Sequence, residues 1–526
     1  MKNLILISIF SFLTIFSFSQ RSMNMQEVGK FTYTESLSDV WGYVDEGGNE
    51  YALVGVYDGF SIVDISDPAN PNEVFFGSGL QSTWRDIKTY GDYAYVSNES
   101  GNGVYIVDMS PLPDGNITNT AYFTGDLYPF QTIHNLYVDE LGRLYIFGSN
   151  NGWGGAIICD LTQDPMNPVE LGRFNDFYLH DGMARDNILW GSALYQGLLA
   201  AIDVSDPANP VVVGTKSTPG QFTHNAWVSD DGSHVFTTDE ISNGYLGAFN
   251  VTDFSNMYLT DRIQSSPGEN VIPHNVHVNN DFLVTSYYTD GIVVHDAKFP
   301  DKLVEVANFD TSPNYSGSGY NGAWGAYPFL PSGLVLASDI QEGLYILEID
   351  YVRASFLEGT VTDAVSGNAL FNVQVEVLGT DLSTQTSFDG TYDFGSTISG
   401  FFDVVFSKEE YLTKTIQDVE LINGEIVELD VELGDETVGI SEELLVKTAF
   451  YPNPFSDQIT LSIAAVEAPE QYQLTVYNTK GEELSRFSID GKRETFTFGN
   501  ELPAGMYYAR LTDSRGRAAS TKIIKR

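Results

Sequence analysis

"GFSIVDISDPANP", residues 59–71, carries three signals in one short run. A glycine opens an apolar stretch, an aspartate closes it, and an Asp-Pro pair follows where a turn is favoured. The same opening returns as "GVYIVD" ending at Asp108, "GAIICD" at Asp160, "GLLAAID" at Asp203, "GYLGAFN" at Asn250, "GIVVHD" at Asp296 and "GLYILE" at Glu348. Counted from Asp64, the successive spacings are 44, 52, 43, 47, 46 and 52 residues. "SDPANP" itself recurs at 205–210, and a variant, "QDPMNP", stands at 163–168. Each unit reads as strand, hairpin, strand, Gly turn, strand, Asp-Pro turn, strand. Four short strands repeating every 40 to 50 residues predict a β-propeller blade, and seven copies predict seven blades. No stretch carries a sustained helical period, which excludes helical solenoids.

The seventh unit, "GAWGAYPFLPSGLVLASDIQEGLYILEIDY", lacks a fourth strand of its own. "EVGKFTYT" (27–34) looks like such an outer strand but precedes the first blade. We expect it to complete blade seven and so remove the free sheet edges of an open ring.

The composition fits a β-rich exported protein. Of 526 residues, 49 are Gly, 30 Tyr and 33 Phe, which suits packed strands and tight turns. The formal charge of −45 leaves no basic stripe for phosphates, so nucleic acid is not an expected partner. "MKNLILISIFSFLTIFSFSQ" combines Lys2, an apolar run and small residues before Gln20. It reads as a secretory signal peptide, residues 1–19, too short and too weakly flanked for a membrane anchor. With no cysteine near the cut, an N-terminal lipid anchor is excluded; no later segment is long and apolar enough to cross a bilayer, so the mature chain has no transmembrane segment. Cys159, the only cysteine, sits in an apolar strand pattern and reads as a buried small hydrophobe.

Near residue 354 the rhythm changes. "LEGTVTDAVSGNALFNVQVEVLGTDLSTQTSFDGTYDFGS" alternates like a sandwich, with an Asp389-Gly390 turn. The acidic "GDETVGISEE" follows as a linker, and the last eighty residues form another short β-domain. The expected organisation is signal peptide 1–19, propeller 20–353, sandwich 354–434, linker 435–446 and C-terminal domain 447–526. The fold class is all-β: a seven-bladed propeller, a transthyretin-like sandwich and a small C-terminal sandwich.

Three stretches resemble known families. Through "DVWGY", "WRDIKTYGDYAYV", "HNLYVDE", "SYYTDGIVVHD" and "GAWGAYPFLPSG", residues 27–352 resemble the choice-of-anchor B family built from LVIVD-type repeats. That resemblance implies a propeller with a surface-attachment tail and no particular reaction. Residues 355–434, through "GTVTDAVSGNALFNVQVEV" and "TSFDGTYDF", resemble the carboxypeptidase regulatory-like domain, an accessory module without protease residues. Residues 449–526 resemble the type A C-terminal sorting domain of the type IX secretion system of Bacteroidetes. The carriers are "YPNPF" with Pro452, Asn453 and Pro454, "LTVYNTKGEEL", "LPAGMYYARL" with Gly505 and Tyr507, and the terminal "KIIKR". This implies passage through the periplasm and export to the outer cell surface or beyond, with the type IX secretion machinery as partner.

Histidine is scarce, yet His134, His180, His224 and His274 fall 46, 44 and 50 residues apart, in step with the blades. They therefore occupy equivalent starts of the innermost strands in blades three to six, around one channel mouth. His277, three residues past His274 on a strand, should face the other way. Trp41, Trp84, Arg85, Asp86 and Trp324 stand at the matching turns of blades one, two and seven. Neutral imidazoles suit a transition metal, and Asn135, Asp181, Asn225 and Asn275 stand ready to orient the rings. Some seven-bladed oxygenases hold iron with four histidines, an analogy at the level of fold only. The structural reading comes ahead of these, each His-Asn pair bonding the neighbouring blade or capping a turn, and a polar organic ligand at the same mouth is the remaining one. Glu99 in "NESGNG" and Glu240 in "TTDEISNG" read as solvated turns. No HExxH, paired-Cys, Walker or GxSxG motif is present. The expected function is binding or adhesion at the cell surface, with a glycan, peptide or protein ligand. The alternatives are a metal-dependent, oxidative enzyme using the four histidines and a purely architectural surface protein.

Overall fold

The computed structural model describes residues 20–434, 446–465, 471–490, 492–513 and 518–526. The expected signal peptide, and all of the expected linker but Val446, lie outside the described residues. Those residues divide into two compact units. The first runs through Leu357 and includes Asp393–Phe401 and Glu420–Glu428; the second holds Glu358–Tyr392, Phe402–Val419 and the rest of the described chain.

Seven antiparallel sheets fill most of the first unit. Their innermost strands are Leu37–Val44, Ile87–Tyr90, Asn135–Val138, Asp181–Arg185, Thr223–Val228, Val276–Asn279 and Ala323–Tyr327. Each touches the next, and the seventh touches the first, which makes a closed propeller. Met25–Phe31 pairs antiparallel with Gly343–Ile349, so the N-terminal strand is the outer strand of blade seven, as expected. Ser22–Met23 adds a fifth strand to blade six, which the sequence did not signal.

The repeat has a physical cause at each of its marked positions. In five of the seven units the opening glycine lies beside the carbonyl of the outer strand. A Cβ on Gly155 would sit 2.2 Å from the Phe174 oxygen, and one on Gly343 2.5 Å from the Phe31 oxygen. The closing acid makes an Asx turn. Asp64, Asp108, Asp160, Asp203, Asn250 and Asp296 each accept the backbone N–H two residues ahead, at 2.8–3.2 Å. In the Asp-Pro turns the aspartate also accepts from the asparagine three residues on, as Asp206 does from Asn209 at 2.8 Å.

Between blades, apolar side chains form shared buried clusters. Leu53, Ile62, Ile87 and Val107 join blades one and two, and Val54, Leu336, Leu344 and Ile346 join seven and one. Cys159 is fully buried in the cluster between blades two and three, as expected. Backbone contact also docks neighbours: a Cβ on Gly172, in the outer strand of blade three, would fall 1.9 Å from the Pro207 carbonyl oxygen in the turn of blade four. Neither partner is a flexible side-chain end, so Gly172→Ala is expected to destabilise the propeller by about 1–3 kcal/mol. Urea unfolding of the two proteins at neutral pH measures it; an unchanged midpoint would show that the blades slide apart freely.

Two four-stranded sheets follow within Ser355–Leu433, with Val361, Val375, Tyr392, Val404 and Phe406 buried. The Asp389-Gly390 turn closes as its sequence suggests: Gly390 has φ of 80°, and Asp389 accepts from the Thr391 N–H at 3.2 Å.

The C-terminal domain pairs a three-stranded sheet with a four-stranded one around Leu461, Leu474, Val476, Ala509, Leu511 and Ile523. Its motif residues hold the chain end. Asn453, between Pro452 and Pro454, donates from Nδ2 to the Lys522 carbonyl at 2.8 Å and accepts the Ile524 N–H at 2.9 Å. Gly505 pairs with Lys525, and the Tyr507 hydroxyl donates to the Pro503 carbonyl at 2.7 Å.

Candidate functional site at the propeller mouth

Because each inner strand begins at the same end of the ring, the four repeat histidines meet. Ring centroids lie 3.9 Å apart for His134–His180, 4.4 Å for His180–His224 and 4.4 Å for His224–His274. All four line a cavity of about 40 Å³, together with Trp84, Asp86, Asn135, Glu240, Asn275 and Trp324. Two sets of three, His134–His180–His224 and His224–Glu240–His274, each bring one ligand atom per residue within 4.8 Å of the others. His224 belongs to both.

The Nδ1 atoms are engaged elsewhere. His224 Nδ1 donates to the His274 carbonyl at 3.2 Å, and His274 Nδ1 to the Trp324 carbonyl at 2.5 Å. A carbonyl only accepts, so in the neutral ring Nε2 keeps its lone pair. His134 Nδ1 bonds the Glu99 carboxylate, and His180 Nδ1 lies 3.2 Å from the Tyr178 hydroxyl. This is the tautomer and orientation control that metal-ligating imidazoles use. His134 Nε2 and His180 Nε2 stand 2.9 Å apart. Two nitrogens bound at 90° to one ion with bonds of about 2.1 Å would lie about 3.0 Å apart. The same separation also suits one N–H···N bond between the rings.

Burial, then the neighbouring imidazoles, pushes His180 well below the usual histidine range. His274 is lowered in the same way, by burial and then by His224. Both are neutral at neutral pH, the form a metal needs. Glu240 lies 3.6 Å from His224 Nε2 through Oε2, and its Oε1 accepts from the Tyr288 hydroxyl at 2.6 Å. Burial, then Asp39, raises the Asp86 carboxyl well above its ordinary value.

The expected orienting residues do something else. Asn135 and Asp181 accept the N–H of the next residue, Leu136 and Gly182. Asp181 also accepts from Asn225 Nδ2 at 2.7 Å, and Asn225 Oδ1 accepts the Val276 N–H at 3.0 Å. Asp181 and Asn225 thus bond each other and strand backbone away from the cavity, whereas Asn135 and Asn275 line it. Glu99, Tyr178 and two carbonyls orient the imidazoles instead. Glu99 and Glu240 are thus not solvated turns: both hairpins between second and third strands fold back over the mouth. Their shared hairpin position was the signal available.

Two expected mouth residues lie elsewhere. Arg85 is buried and donates to the Val56 carbonyl at 2.8 Å and to those of Tyr57 and Leu80. Trp41 packs deeper, 4.7 Å from the Tyr327 ring, with Lys88 Nζ 4.2 Å above it. His277 does face away from the mouth, into Trp41, Trp227 and Phe329.

That placement has a measurable consequence. Burial, with a smaller contribution from Lys88, pushes His277 down to about 3. In the unfolded chain the group protonates near 6.5. Between these values the unfolded state binds more protons, so stability falls as pH drops from about 6.5 towards 3, by up to about 1.4 kcal/mol per pH unit. His277→Phe should lack this share of the slope. Comparing urea midpoints of the two proteins at pH 7.5 and pH 5 checks it; parallel losses would contradict it.

Comparisons with known proteins fit this architecture. LVIVD repeats match at residues 47–76, 83–112 and 193–218, within blades one, two and four. Residues 357–434 match the carboxypeptidase regulatory-like domain, and residues 449–526 the secretion system C-terminal sorting domain. The chain thus carries LVIVD repeats within its seven-bladed propeller, followed by two accessory β-modules. Its sorting domain marks it for export to the cell surface or extracellular space. Among the described residues no helix is long and apolar enough to cross a membrane. No curated protein sequence matches. Among solved structures, the β-propeller domain of Cps50 (Swd1) from Myceliophteria thermophila shares 11% identity at a TM-score of 0.44, over 63% of this chain and 100% of its own. The computationally designed Ika8 protein shares 10% at 0.42, over 62% and 100%.

Proposed function

We propose that the exported propeller is a metalloprotein that holds one transition-metal ion at its mouth through His134, His180 and His224, with Glu240 and His274 beside it as a second set that shares His224. The observation that carries this is the convergence of His134, His180 and His224, whose ligand atoms lie within 4.8 Å of one another at one small cavity. Turn punctuation alone does not require four rings in a contiguous row. Nor does it require a carboxylate, Glu240, beside two of them. A borderline or soft divalent ion suits an imidazole set. Bound there, it would supply Lewis acidity or redox chemistry to a ligand arriving from outside the cell. The propeller takes residues 20–353, and the modules after it serve display and delivery.

A second reading, adhesion to a larger glycan or peptide, has one observation in its favour. Trp84 is 42% exposed at the cavity, and Tyr195, 74% exposed, packs at a tilt against Tyr178 beside His180. The cavity itself is too small for a sugar ring, so such a ligand would lie across the aromatic rim.

Metal analysis of the purified chain, with His180→Ala as control, tests the first reading. About one equivalent of metal in the parent and far less in the variant is expected. No bound metal in either, after incubation with Zn(II), Co(II), Fe(II) and Cu(II), would end it. A glycan array probed with the metal-free protein tests the second.

A further inference from the structure

The imidazoles come from blades three to six and wall the cavity on one side. The rest of the wall contains Trp84 and Asp86 from blade two, Trp324 from blade seven, and Asn275. Two polar atoms of these residues lack any hydrogen-bond partner: Nε1 of Trp324 and Oδ1 of Asn275. Both residues are deeply buried, Trp324 6% and Asn275 5% exposed. Buried polar groups are as a rule satisfied, so each such orphan asks for an explanation. The Trp324 carbonyl is meanwhile fixed by His274 Nδ1 at 2.5 Å and by Ser286 Oγ at 2.7 Å, which anchors this tryptophan beside the ligand set.

Size narrows what the orphans await. About 40 Å³ holds roughly three water-sized groups, so an ion leaves space for a ligand of only a few atoms. An indole N–H donates and never accepts, and it suits an electron-rich atom. We infer that the metal's remaining coordination position takes a small anion, of the size of azide or hydroxide, which accepts from Trp324 Nε1–H. Asn275 Oδ1 accepts any hydrogen that this ligand carries. The inference rests on the metal reading above and goes further in assigning the ligand class and its donor.

The full exported chain loaded with Co(II) and titrated with sodium azide tests it through the visible spectrum. The parent should show a saturable azide-dependent change. Trp324→Phe, which keeps an aromatic ring and removes the donor, should bind Co(II) as the parent does and azide about tenfold more weakly. Asn275→Asp, which places a negative charge beside the anion, should also weaken azide without loss of Co(II), and serves if Trp324→Phe does not fold. Equal azide affinity in the parent and in a folded, loaded variant would overturn the inference. So would a parent that binds Co(II) but shows no response to azide; that outcome leaves the metal reading standing. A parent that binds no Co(II) removes both.

Discussion

His224→Ala is expected to weaken Zn(II) or Co(II) binding by more than about a hundredfold. Removing a group that only orients a metal ligand already costs roughly 10–100-fold, and His224 is a proposed ligand itself. It is also the residue shared by both three-ligand sets, so neither survives its loss. Glu99→Gln offers the contrast. Its amide oxygen still accepts from His134 Nδ1–H, and affinity should fall by less than in His224→Ala. Competition with a chromogenic chelator measures both. Equal affinities for His224→Ala and the parent would mean that the rings serve the fold and not an ion.

Deleting residues 20–31 is expected to cost the propeller several kcal/mol. Six register pairs between Met25–Phe31 and Gly343–Ile349 disappear, along with those of Ser22 and Met23 with Phe309 and Asn308. At about 1 kcal/mol for a typical hydrogen bond, and with buried Met25 also lost, the ring loses its closure. The bared edge of Gly343–Ile349 would then present unpaired N–H and C=O groups to a second molecule. The truncated protein should melt well below the parent and elute as larger species on size exclusion. A monomer with an unchanged melting temperature would show that closure is not what holds blade seven.

The fold was legible because each blade repeats the same local physics. A glycine under the outer-strand carbonyl, an Asx turn and an Asp-Pro turn are short-range needs, so they are written in consecutive residues. The N-terminal strand could also be placed, since the seventh unit lacked a partner that "EVGKFTYT" resembled. The fifth strand on blade six, only Ser22–Met23, carries too few residues for any pattern.

The site was half legible. Histidines in step with the blades had to share one end of the ring, whatever the details of packing. Their orienting groups did not follow from spacing. Asn135, Asp181 and Asn225 adjoin the histidines in sequence, but their side chains bond strand backbone or each other, and Asn275 lines the cavity. Glu99 reaches His134 from the preceding blade, and the Trp324 carbonyl meets His274 from the following one. Such inter-blade contacts depend on how tightly the blades pack, which no local run of residues records. Trp41 and Arg85 were misplaced for the same reason. Their turns match those of the histidines, but Arg85 is drawn to the backbone carbonyls of blade one and Trp41 to the aromatic cluster around His277.

Anomalous scattering from crystals of the metal-loaded propeller, collected on both sides of the metal's absorption edge, addresses the proposed centre without relying on activity. One strong peak is expected at the mouth, about 2.0–2.2 Å from Nε2 of His134, His180 and His224. A loaded crystal with no peak there, or with its only peak among surface carboxylates, would contradict it.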